Sequence, residues 1–323
     1  MKTLVTGATG FAGKYLVKRL IAEQKNVSCL VRPQSNCAHL KELGVELVYG
    51  DLADCNTLGS LKKDKFDIIY HLAGAVYSTK NIEFKRVNIT GTSNLLHSCY
   101  WSGLQKFIYL SSIAVNGFPA PGSLITEDTP CIPFTPYGKT KLQAEKLIAN
   151  FFADTHVCTI FLRAPVIYGP DGQADLVTEK FKRIAQGKVL IVGDGSNMRS
   201  LCYIDNLIEG LILAEKNAEM KNNIYVISDS QPYSFRQLVA AISDVLNTSP
   251  RLFYLPSCIA DFARYFLFVM YTFGSYSWKL YSIATMNIDL GCLITKAERE
   301  IGYRPKIDLK TGIKKTLGYY LNN

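Results

Sequence analysis

The chain has 323 residues, a formal net charge of +9 and a hydrophobic fraction of 48%. That hydrophobic fraction supports a large core, so the sequence predicts one large domain, or one domain that carries a smaller lobe. Because the basic residues alternate with acidic ones and form no long run, the charge argues against nucleic-acid binding and favours a solvated surface or an anionic cofactor.

Strand-like and helix-like segments alternate through the first half of the chain. The segment "KYLVKRLIAEQ" follows the first strand-like segment and has apolar residues at helical spacing. Continuous apolar strands that alternate with helices are typical of a parallel sheet covered on both faces, so we expect a doubly wound α/β Rossmann fold. The segments predicted to be strands are "KTLVT", "NVSCLVR", "VELVYGD", "FDIIYHLAG", "KFIYLSS" and "HVCTIFLRAP".

The pattern changes after Pro165. Residues 177–188 predict a helix, "SLCYIDNLIEGLILAEK" and "NNIYVISDS" return to the strand-and-helix pattern, and the chain is aromatic and irregular from Pro250 on. We therefore expect a Rossmann domain and a smaller substrate-binding lobe that closes over the edge of the sheet. The domain would comprise residues 1–165 and about 201–247, and the lobe about 166–200 and 248–323.

The cysteines and histidines indicate a reducing compartment and no metal site. The nine cysteines form no CxxC pair and sit in apolar runs such as "VSCLV", which is typical of reduced, buried thiols. The four histidines form no ligand cluster with them. No signal-peptide pattern precedes the first strand, so we expect a cytoplasmic protein. The aromatic stretch within 259–278 is too short to span a bilayer, but contact with a membrane surface or an apolar substrate stays open.

A glycine-rich turn, "GATGFAG", separates the first strand from the first helix. Its G-x-x-G-x-x-G pattern gives a tight turn, close approach of backbone amides to a pyrophosphate, and close packing of helix on strand. The anion would lie at the helix N-terminus, where unpaired N–H groups favour negative charge. The alternative is a turn without a ligand. The residues expected beside a dinucleotide are Gly7, Thr9, Gly10, Phe11, Ala12 and Gly13.

The end of the second strand indicates which dinucleotide is bound. An acid there would bind the ribose hydroxyls of NAD, but Val31 and Arg32 occupy the position. Arg32 can offer its guanidinium to a 2′-phosphate, so NADP(H) is the predicted cofactor and NAD(H) is possible. Alternatively Arg32 only stacks on the adenine. Asp51, with Leu52 beside it, would contact the adenine; a helix N-cap is the other interpretation of Asp51.

A tyrosine and two lysines lie close together in "PYGKTK". Helical neighbours on one face are four residues apart, so Lys141 faces Tyr137 and Lys139 does not. Lowering a phenol pKa from about 10 to ~7 takes ~4 kcal/mol, which a nearby ammonium and an oxidised nicotinamide can supply. Tyr137 would then exchange a proton with an alcohol or a ketone. Ser112, after the fifth strand, would donate a hydrogen bond to the substrate oxygen, and Ser111 is the alternative donor. The alternative role for either serine is to cap the end of the strand.

Collinear motifs along nearly the whole chain resemble the extended short-chain dehydrogenase/reductases, also called the NAD-dependent epimerase/dehydratase family. By that resemblance Ser112, Tyr137 and Lys141 form a catalytic triad, and Asn88 is a structural or catalytic asparagine. The motifs are "TGATGFAG", "GDL", "HLAG", "VNITGTSNLL", "SSIAVNG", "YGKTK", "LRAPVIYGP", "GDGSNMRSLCYIDNL" and "AEREIGYRP". The residues that the resemblance places along the cofactor cleft are Ala73, Gly74, Arg163 and Pro165, with turn formation, strand capping or a surface ion pair as alternatives.

The resemblance leaves the reaction open. Family dehydratases carry an acidic pair after the catalytic hydroxyl, where this chain has Ile113 and Ala114. The main prediction is an NADP(H)-dependent ketone reductase or alcohol dehydrogenase similar to dihydroflavonol reductases and 3β-hydroxysteroid dehydrogenases, because an aromatic lobe suits a bulky apolar substrate. The alternative is a nucleotide-sugar 4-epimerase in which Arg199 binds a diphosphate, although the family's second diphosphate arginine, near residue 280, is missing.

Two further expectations come from the same resemblance. A non-catalytic NADP(H)-binding sensor or scaffold is a third possibility, which the retained tyrosine and lysine disfavour. The family usually dimerises through the two long helices near 88–100 and 137–152, so we expect a homodimer with a small-molecule substrate.

Overall fold

The computed structural model describes residues 1–76, 78, 80–99, 103–172, 184, 186–218 and 223–322. Its strands in chain order are β1 (Lys2–Thr6), β2 (Asn26–Val31), β3 (Glu46–Tyr49), β4 (Ile68–His71), β5 (Lys106–Ser112), β6 (Cys158–Ala164), β7 (Val166–Tyr168), β8 (Lys188–Val192), β9 (Met198–Arg199), β10 (Leu201–Tyr203), β11 (Asn223–Val226), β12 (Tyr233–Ser234) and β13 (Arg251–Leu255).

Helices connect these strands. The α-helices are α1 (Phe11–Ala22), α2 (Ala38–Glu42), α3 (Asn81–Phe84), α4 (Gly91–Ser98), α5 (Pro136–Phe151), α6 (Ile204–Asn217), α7 (Phe235–Leu246), α8 (Cys258–Thr272), α9 (Trp278–Ala284), α10 (Thr295–Ile301) and α11 (Leu309–Asn322). Two short 3₁₀ segments (Cys55–Lys62 and Ile113–Val115) and a π-helical turn (Lys85–Thr90) complete the described helical structure.

The central sheet has seven strands in the order β11-β6-β5-β4-β1-β2-β3, and every pairing in it is parallel. The chain runs outward from β1 to β3 and then returns to the other side of β1 with β4. Crossovers therefore leave β1 in opposite directions, which opens a crevice at the carboxyl ends of β1 and β4. The six predicted strands, and "NNIYVISDS" as the seventh, are confirmed.

The two faces of the sheet bury different residues of the same strands. In β1, Val5 packs into a cluster with Leu16 and Leu20 of α1, whereas Leu4 packs into a second cluster with Leu95 of α4 and Ile148 of α5. Side chains alternate along a strand, so successive apolar residues bury both faces beneath helices. This is the doubly wound architecture that the sequence predicts.

Three smaller strand pairs lie outside the central sheet. They are β7 with β10, β8 with β13, and β9 with β12. The helix predicted at 177–188 lies largely outside the described residues. The division into a Rossmann domain and a substrate lobe stays a prediction.

The stretch after Pro250, expected to be irregular, instead forms β13, α8 and α9. That expectation was wrong because the aromatic residues obscured a helical pattern. Ala260, Ala263 and Leu267 lie three and four residues apart and form the buried side of α8. The intervening aromatic residues occupy its other side.

The cysteines are less uniformly buried than expected. All nine are free thiols, but Cys55 and Cys258 are exposed and Cys131 is half-buried. Within the described ranges, the helices are all too short or too polar to traverse a bilayer.

Candidate active site

The glycine turn after β1 is shaped by close backbone contacts. Gly7 has a φ of +75°, and a Cβ there would lie 2.6 Å from the Ala73 nitrogen. A Cβ on Gly13 would lie 2.1 Å from the Gly7 carbonyl oxygen, so only glycine lets α1 approach the turn this closely. The Gly10 N–H donates to the Gly7 carbonyl oxygen at 2.9 Å.

The N-terminus of α1 fits the phosphates of a dinucleotide. Gly10 is its N-cap residue, supplies no side-chain cap, and the first turn contains no acid. The free N–H groups of that turn, around Phe11 and Ala12, therefore point toward the crevice with the positive end of the helix dipole. Thr9 and Gly10 precede them at the same end of the helix. The pyrophosphate contacts of these residues stay a prediction.

A cavity of about 280 Å³ lies beside this turn, where the ribose end of a dinucleotide would extend. Lys14, Arg32 and His39 bring cationic or titratable groups to it, and its remaining lining is polar: Thr9, Ser35 and Asn36. The predicted position of Arg32, directly after β2, thus belongs to a larger basic and polar site. Sequence reasoning missed Lys14 of α1, Asn36 of the loop after β2 and His39 of α2.

Asp51 and Leu52 follow β3 at the same edge of the sheet. The Gly50 N–H donates to the Val31 carbonyl oxygen, which holds this loop beside the end of β2. The Asp51 carboxylate accepts the Ala53 N–H at 2.9 Å and so caps a turn, but the helix N-cap expected as its alternative role belongs to Asp54, at the start of Cys55–Lys62. Leu52 is buried, and its carbonyl oxygen accepts a hydrogen bond from Asn94.

Tyr137 lies in the first turn of α5. Thr135 caps that helix by accepting the Gly138 N–H at 2.9 Å, and Pro136 occupies the first helical position. A Cβ on Gly138 would lie 2.3 Å from the Ala114 carbonyl oxygen. The glycine therefore lets the start of α5 pack against the turn that follows Ser112, and so brings the segments of Tyr137 and Ser112 together.

Lys141 is buried one helical turn after Tyr137, whereas Lys139 is exposed. The Lys141 ammonium donates to the Leu110 carbonyl oxygen at 2.6 Å and lies 4.0 Å from the centre of the Tyr109 ring. Burial lowers the Lys141 pKa from 10.5 to about 7, and Glu145 opposes that shift. A lysine in this state can change its protonation near neutral pH.

The shifted pKa of Lys141 gives a prediction for stability. Its folded pKa of about 7 lies below the ordinary value of 10.5, so between these values the unfolded chain binds more protons and stability rises with pH. The unfolding free energy of wild type minus that of Lys141→Met should increase by up to ~1.4 kcal/mol per pH unit between these two pKa values. Urea denaturation at about pH 7, 8 and 9 measures it. For the control Lys139→Met, the difference in unfolding free energy from wild type should not change with pH. If the difference for Lys141→Met were also independent of pH, the prediction would be wrong.

The two serines at the end of β5 have different environments. Ser111 is buried and donates to Glu145 at 2.5 Å. Ser112 is half-buried, and its hydroxyl accepts the Ala114 N–H at 3.2 Å, so it does cap the strand end. A hydroxyl that only accepts this bond still has its proton to donate. Ser112 is therefore better placed than Ser111 to donate to a substrate oxygen.

Asn88 ties the loop after β4 to the start of α5. Its side-chain amide accepts the Ala75 N–H at 2.7 Å and donates to the Ala75 carbonyl oxygen and to the Thr140 hydroxyl. A Cβ on Gly74 would lie 3.2 Å from the Asn88 amide oxygen and 3.8 Å from the Lys141 nitrogen. Asn88 thus holds Ala75 beside α5, and Gly74 lies next to both Asn88 and Lys141; a catalytic role of Asn88 stays a prediction.

Arg163 occupies a different place from the cleft or surface position expected. It pairs inside the core with Glu145, through Nε at 3.1 Å and Nη2 at 2.7 Å, and the arginine is only 2% exposed. Arg163 is buried because β6 lies beside β5 and α5. The motif "LRAPVIYGP" alone does not indicate this packing. Pro165 is buried directly after β6, at the carboxyl edge of the sheet.

Glu145 is a further site residue that sequence reasoning missed. Tyr137, Lys141 and Glu145 follow one another at intervals of four residues, so they form one row along α5. The four-residue spacing is present in the sequence and would have predicted Glu145 as a neighbour of Lys141. Glu145 holds Ser111 and Arg163 and raises the pKa of Lys141.

Arg199 lies in β9, far along the chain from the triad. Its guanidinium donates to the Thr285 carbonyl oxygen, and burial lowers its pKa. Tyr281 and Asp289 are close enough to oppose that shift. Its Nε is buried and has no hydrogen-bond partner among the described residues.

The parallel sheet, the glycine turn and the row on α5 define a Rossmann enzyme that uses a nicotinamide dinucleotide. A family model described as the NAD dependent epimerase/dehydratase family matches residues 3–228. The chain belongs to that family, and it is an NAD-dependent enzyme of the epimerase or dehydrogenase type.

Known proteins with similar sequences or structures include epimerases and a reductase. The chain is 28% identical to N-acetyl-α-D-glucosaminyl-diphospho-ditrans,octacis-undecaprenol 4-epimerase of Escherichia coli O157:H7, over 98% of this chain and 94% of that protein. It is 32% identical to 2-alkyl-3-oxoalkanoate reductase of Stenotrophomonas maltophilia, over 74% of each. The fold is similar to that of UDP-glucuronic acid 4-epimerase from Bacillus cereus in complex with NAD, with a TM-score of 0.77, 24% identity, and coverage of 100% and 99%.

Proposed function

We propose that the protein is an NAD-dependent 4-epimerase of a sugar that carries a diphosphate. The observation that supports this most strongly is the row of Tyr137 and Lys141 on α5 beside a turn that fits a dinucleotide, in a chain whose full-length relative from Escherichia coli is a sugar 4-epimerase. The main expectation from sequence, a ketone reductase, shares the hydride chemistry but has less support among full-length relatives. The absence of an acidic pair after Ser112 disfavours a dehydratase.

The side chains supply the proton chemistry of such a reaction. Tyr137 would take the proton from the sugar 4-hydroxyl and later return it, while the Ser112 hydroxyl donates a hydrogen bond to the same oxygen. Lys141 would stabilise the phenolate electrostatically, because it follows Tyr137 by one turn. Bound NAD would supply the hydride acceptor and donor. The glycine turn would hold its phosphates, and Arg199 would bind the substrate diphosphate.

The nucleotide that the purified protein retains tests this proposal. An epimerase returns its hydride to the substrate and needs no exchange of cofactor, so denaturation should release NAD in near-stoichiometric amount. Proton NMR should then show a UDP-hexose converting to its 4-epimer without added cofactor. Protein that releases no nucleotide and consumes NADPH with a ketone would replace the epimerase proposal with the reductase.

That reductase is the second candidate, and the cavity at Arg32 is the observation that favours it. Lys14, Arg32 and His39 line the cavity, and its lining within the described part of the chain contains no acid, although Lys14 pairs with Asp171. Such a site suits the extra negative charge of a 2′-phosphate better than the free hydroxyls of NAD. Under this candidate the enzyme would use NADP(H) to reduce a ketone, with Tyr137 as the proton donor.

Arg32→Ala tests the cofactor preference. We expect the variant to bind NADPH at least tenfold more weakly, because it loses a charge-assisted contact to phosphate, and to bind NADH with little change. Fluorescence titration with both dinucleotides measures the two affinities. Lys18→Ala, which removes an exposed cation from α1 outside the cavity, should change neither. Equal losses for NADPH and NADH would mean that Arg32 only stacks on the adenine.

Assembly and location complete the proposal. We propose a cytoplasmic homodimer that pairs α4 and α5 of one copy with the same helices of the other, as the family resemblance implies. Light scattering behind size-exclusion chromatography measures the mass, and a monomer at micromolar concentration would exclude this dimer.

A further inference from the structure

The outer side of α8 presents an unusual number of exposed aromatic residues. Asp261 is the one carboxylate of α8, and it pairs with Arg264 of the same helix. We call this surface the aromatic face and define it by residues that are each more than half exposed: Phe262 65%, Tyr265 66%, Phe266 59%, Phe268 58%, Phe273 82% and, from α3, Ile82 63%.

The aromatic face belongs to a helix that is already packed. The other side of α8 buries Ala263 and Leu267 against Ala284 of α9, and Arg264 donates to the Ala284 carbonyl oxygen. Ile82 joins the face because Lys80 pairs with Ser275 in an antiparallel bridge, and Ile82 and Phe273 each lie two residues from that bridge. The exposed rings are therefore additional to the core contacts of the helix. A contiguous apolar surface of this kind marks a site of interaction.

The inner side of the same helix leads to the catalytic tyrosine. Tyr271 stacks on Tyr276 with ring centres 5.5 Å apart, Tyr276 contacts Phe84 at 5.9 Å, and Phe84 contacts Tyr137 at 6.2 Å. The inner side of α8 is thus linked to Tyr137 by three successive ring contacts, and the aromatic face lies on the opposite side of the helix.

The charged residues around the aromatic face indicate which kind of partner it fits. Between residues 250 and 284 the chain has the cations Arg251, Arg264 and Lys279 and the single acid Asp261. Lys279 is exposed near the start of α9, exposed Lys80 flanks Phe273, and Glu83, the acid next to Ile82, is paired with Arg86. Aromatic rings bordered by cations match the interfacial layer of a membrane, where rings enter among the headgroups and cations attract anionic lipids.

We propose that the aromatic face docks the protein on the surface of a bilayer that contains anionic lipid. A second copy of the chain fits less well. A two-fold symmetric pairing of this face would bring Lys80 and Lys279 of both copies to one interface, where like charges cost electrostatic energy. An anionic bilayer offsets those charges. The proposal is independent of which reaction the active site performs.

Vesicle co-sedimentation of the full chain tests the proposal. Wild-type protein should bind vesicles of 70% phosphatidylcholine and 30% phosphatidylglycerol at least tenfold more tightly than pure phosphatidylcholine, and the preference should fall in high salt. Phe262→Ser combined with Phe266→Ser should lose at least tenfold in vesicle affinity. Tyr49→Ser removes an exposed ring from β3 and serves as the matched control, with affinity unchanged.

Other results of the vesicle experiment would overturn the proposal or assign the aromatic face to a different partner. Absence of vesicle binding by wild-type protein would overturn the proposal, as would equal binding by the double variant. A dimer that the double variant dissociates, without vesicle binding, would assign the face to a second copy. Epimerisation of a water-soluble UDP-hexose by the double variant should equal that of wild type, so failure of the proposed function and failure of membrane docking are separately visible.

Discussion

Replacing Tyr137 by phenylalanine is expected to lower turnover by ~10²–10⁴-fold while dinucleotide affinity stays within about twofold. The variant keeps the ring and its contact with Phe84 but loses the hydroxyl that we propose exchanges the proton. The proposed dinucleotide contacts lie at the glycine turn, which the substitution does not alter. Turnover assays and NADH fluorescence titration on the same preparations separate the two effects.

Two observations would contradict this role of Tyr137. Turnover within threefold of wild type would mean that another group handles the proton. Loss of turnover together with equal loss of dinucleotide affinity would assign a binding role to the hydroxyl. Tyr49→Phe, which removes an exposed hydroxyl from β3, is the control and should leave both quantities unchanged.

The fold could be predicted from the sequence because its signals are local. Each strand of the central sheet is a short continuous apolar run, and the glycine turn after β1 requires its glycines for backbone reasons that hold in any context. The side of α5 on which Lys141 lies follows from helical spacing alone. Lys141 is accordingly buried and Lys139 exposed, although the catalytic role of Lys141 stays a prediction.

The parts of the site that escaped prediction depend on contacts between distant segments. The sequence around Arg163 indicates only a strand residue. Its partner Glu145 comes from α5, which the fold places next to β6. The polar cavity at Arg32 combines residues from α1, from the loop after β2 and from α2, and no single segment indicates it. The helical pattern of α8 was obscured because its exposed side is as apolar as its buried side.

Replacing Glu145 by alanine is expected to cost ~3–5 kcal/mol of folding free energy, because it leaves the Arg163 charge buried without its partner. Both side chains are nearly inaccessible, at 3% for Arg163 and 6% for Glu145, so water cannot take over the lost contacts. The Ser111 hydroxyl loses its acceptor in the same change. Urea denaturation at neutral pH measures the loss, and Glu145→Gln, which keeps the shape of the side chain, should cost less.

Two comparisons isolate the buried charge as the cause. Glu83→Ala breaks the exposed pair with Arg86, whose side chains are 41% and 47% accessible, and should cost no more than ~1 kcal/mol. Combining Glu145→Leu with Arg163→Met should give a more stable protein than Glu145→Leu alone, because the second substitution removes the unpaired charge. If the double variant were less stable than the single one, the packing of Arg163 rather than its charge would be what Glu145 maintains. The core beneath Ser112 and Lys141 would then depend on the shape of the arginine side chain.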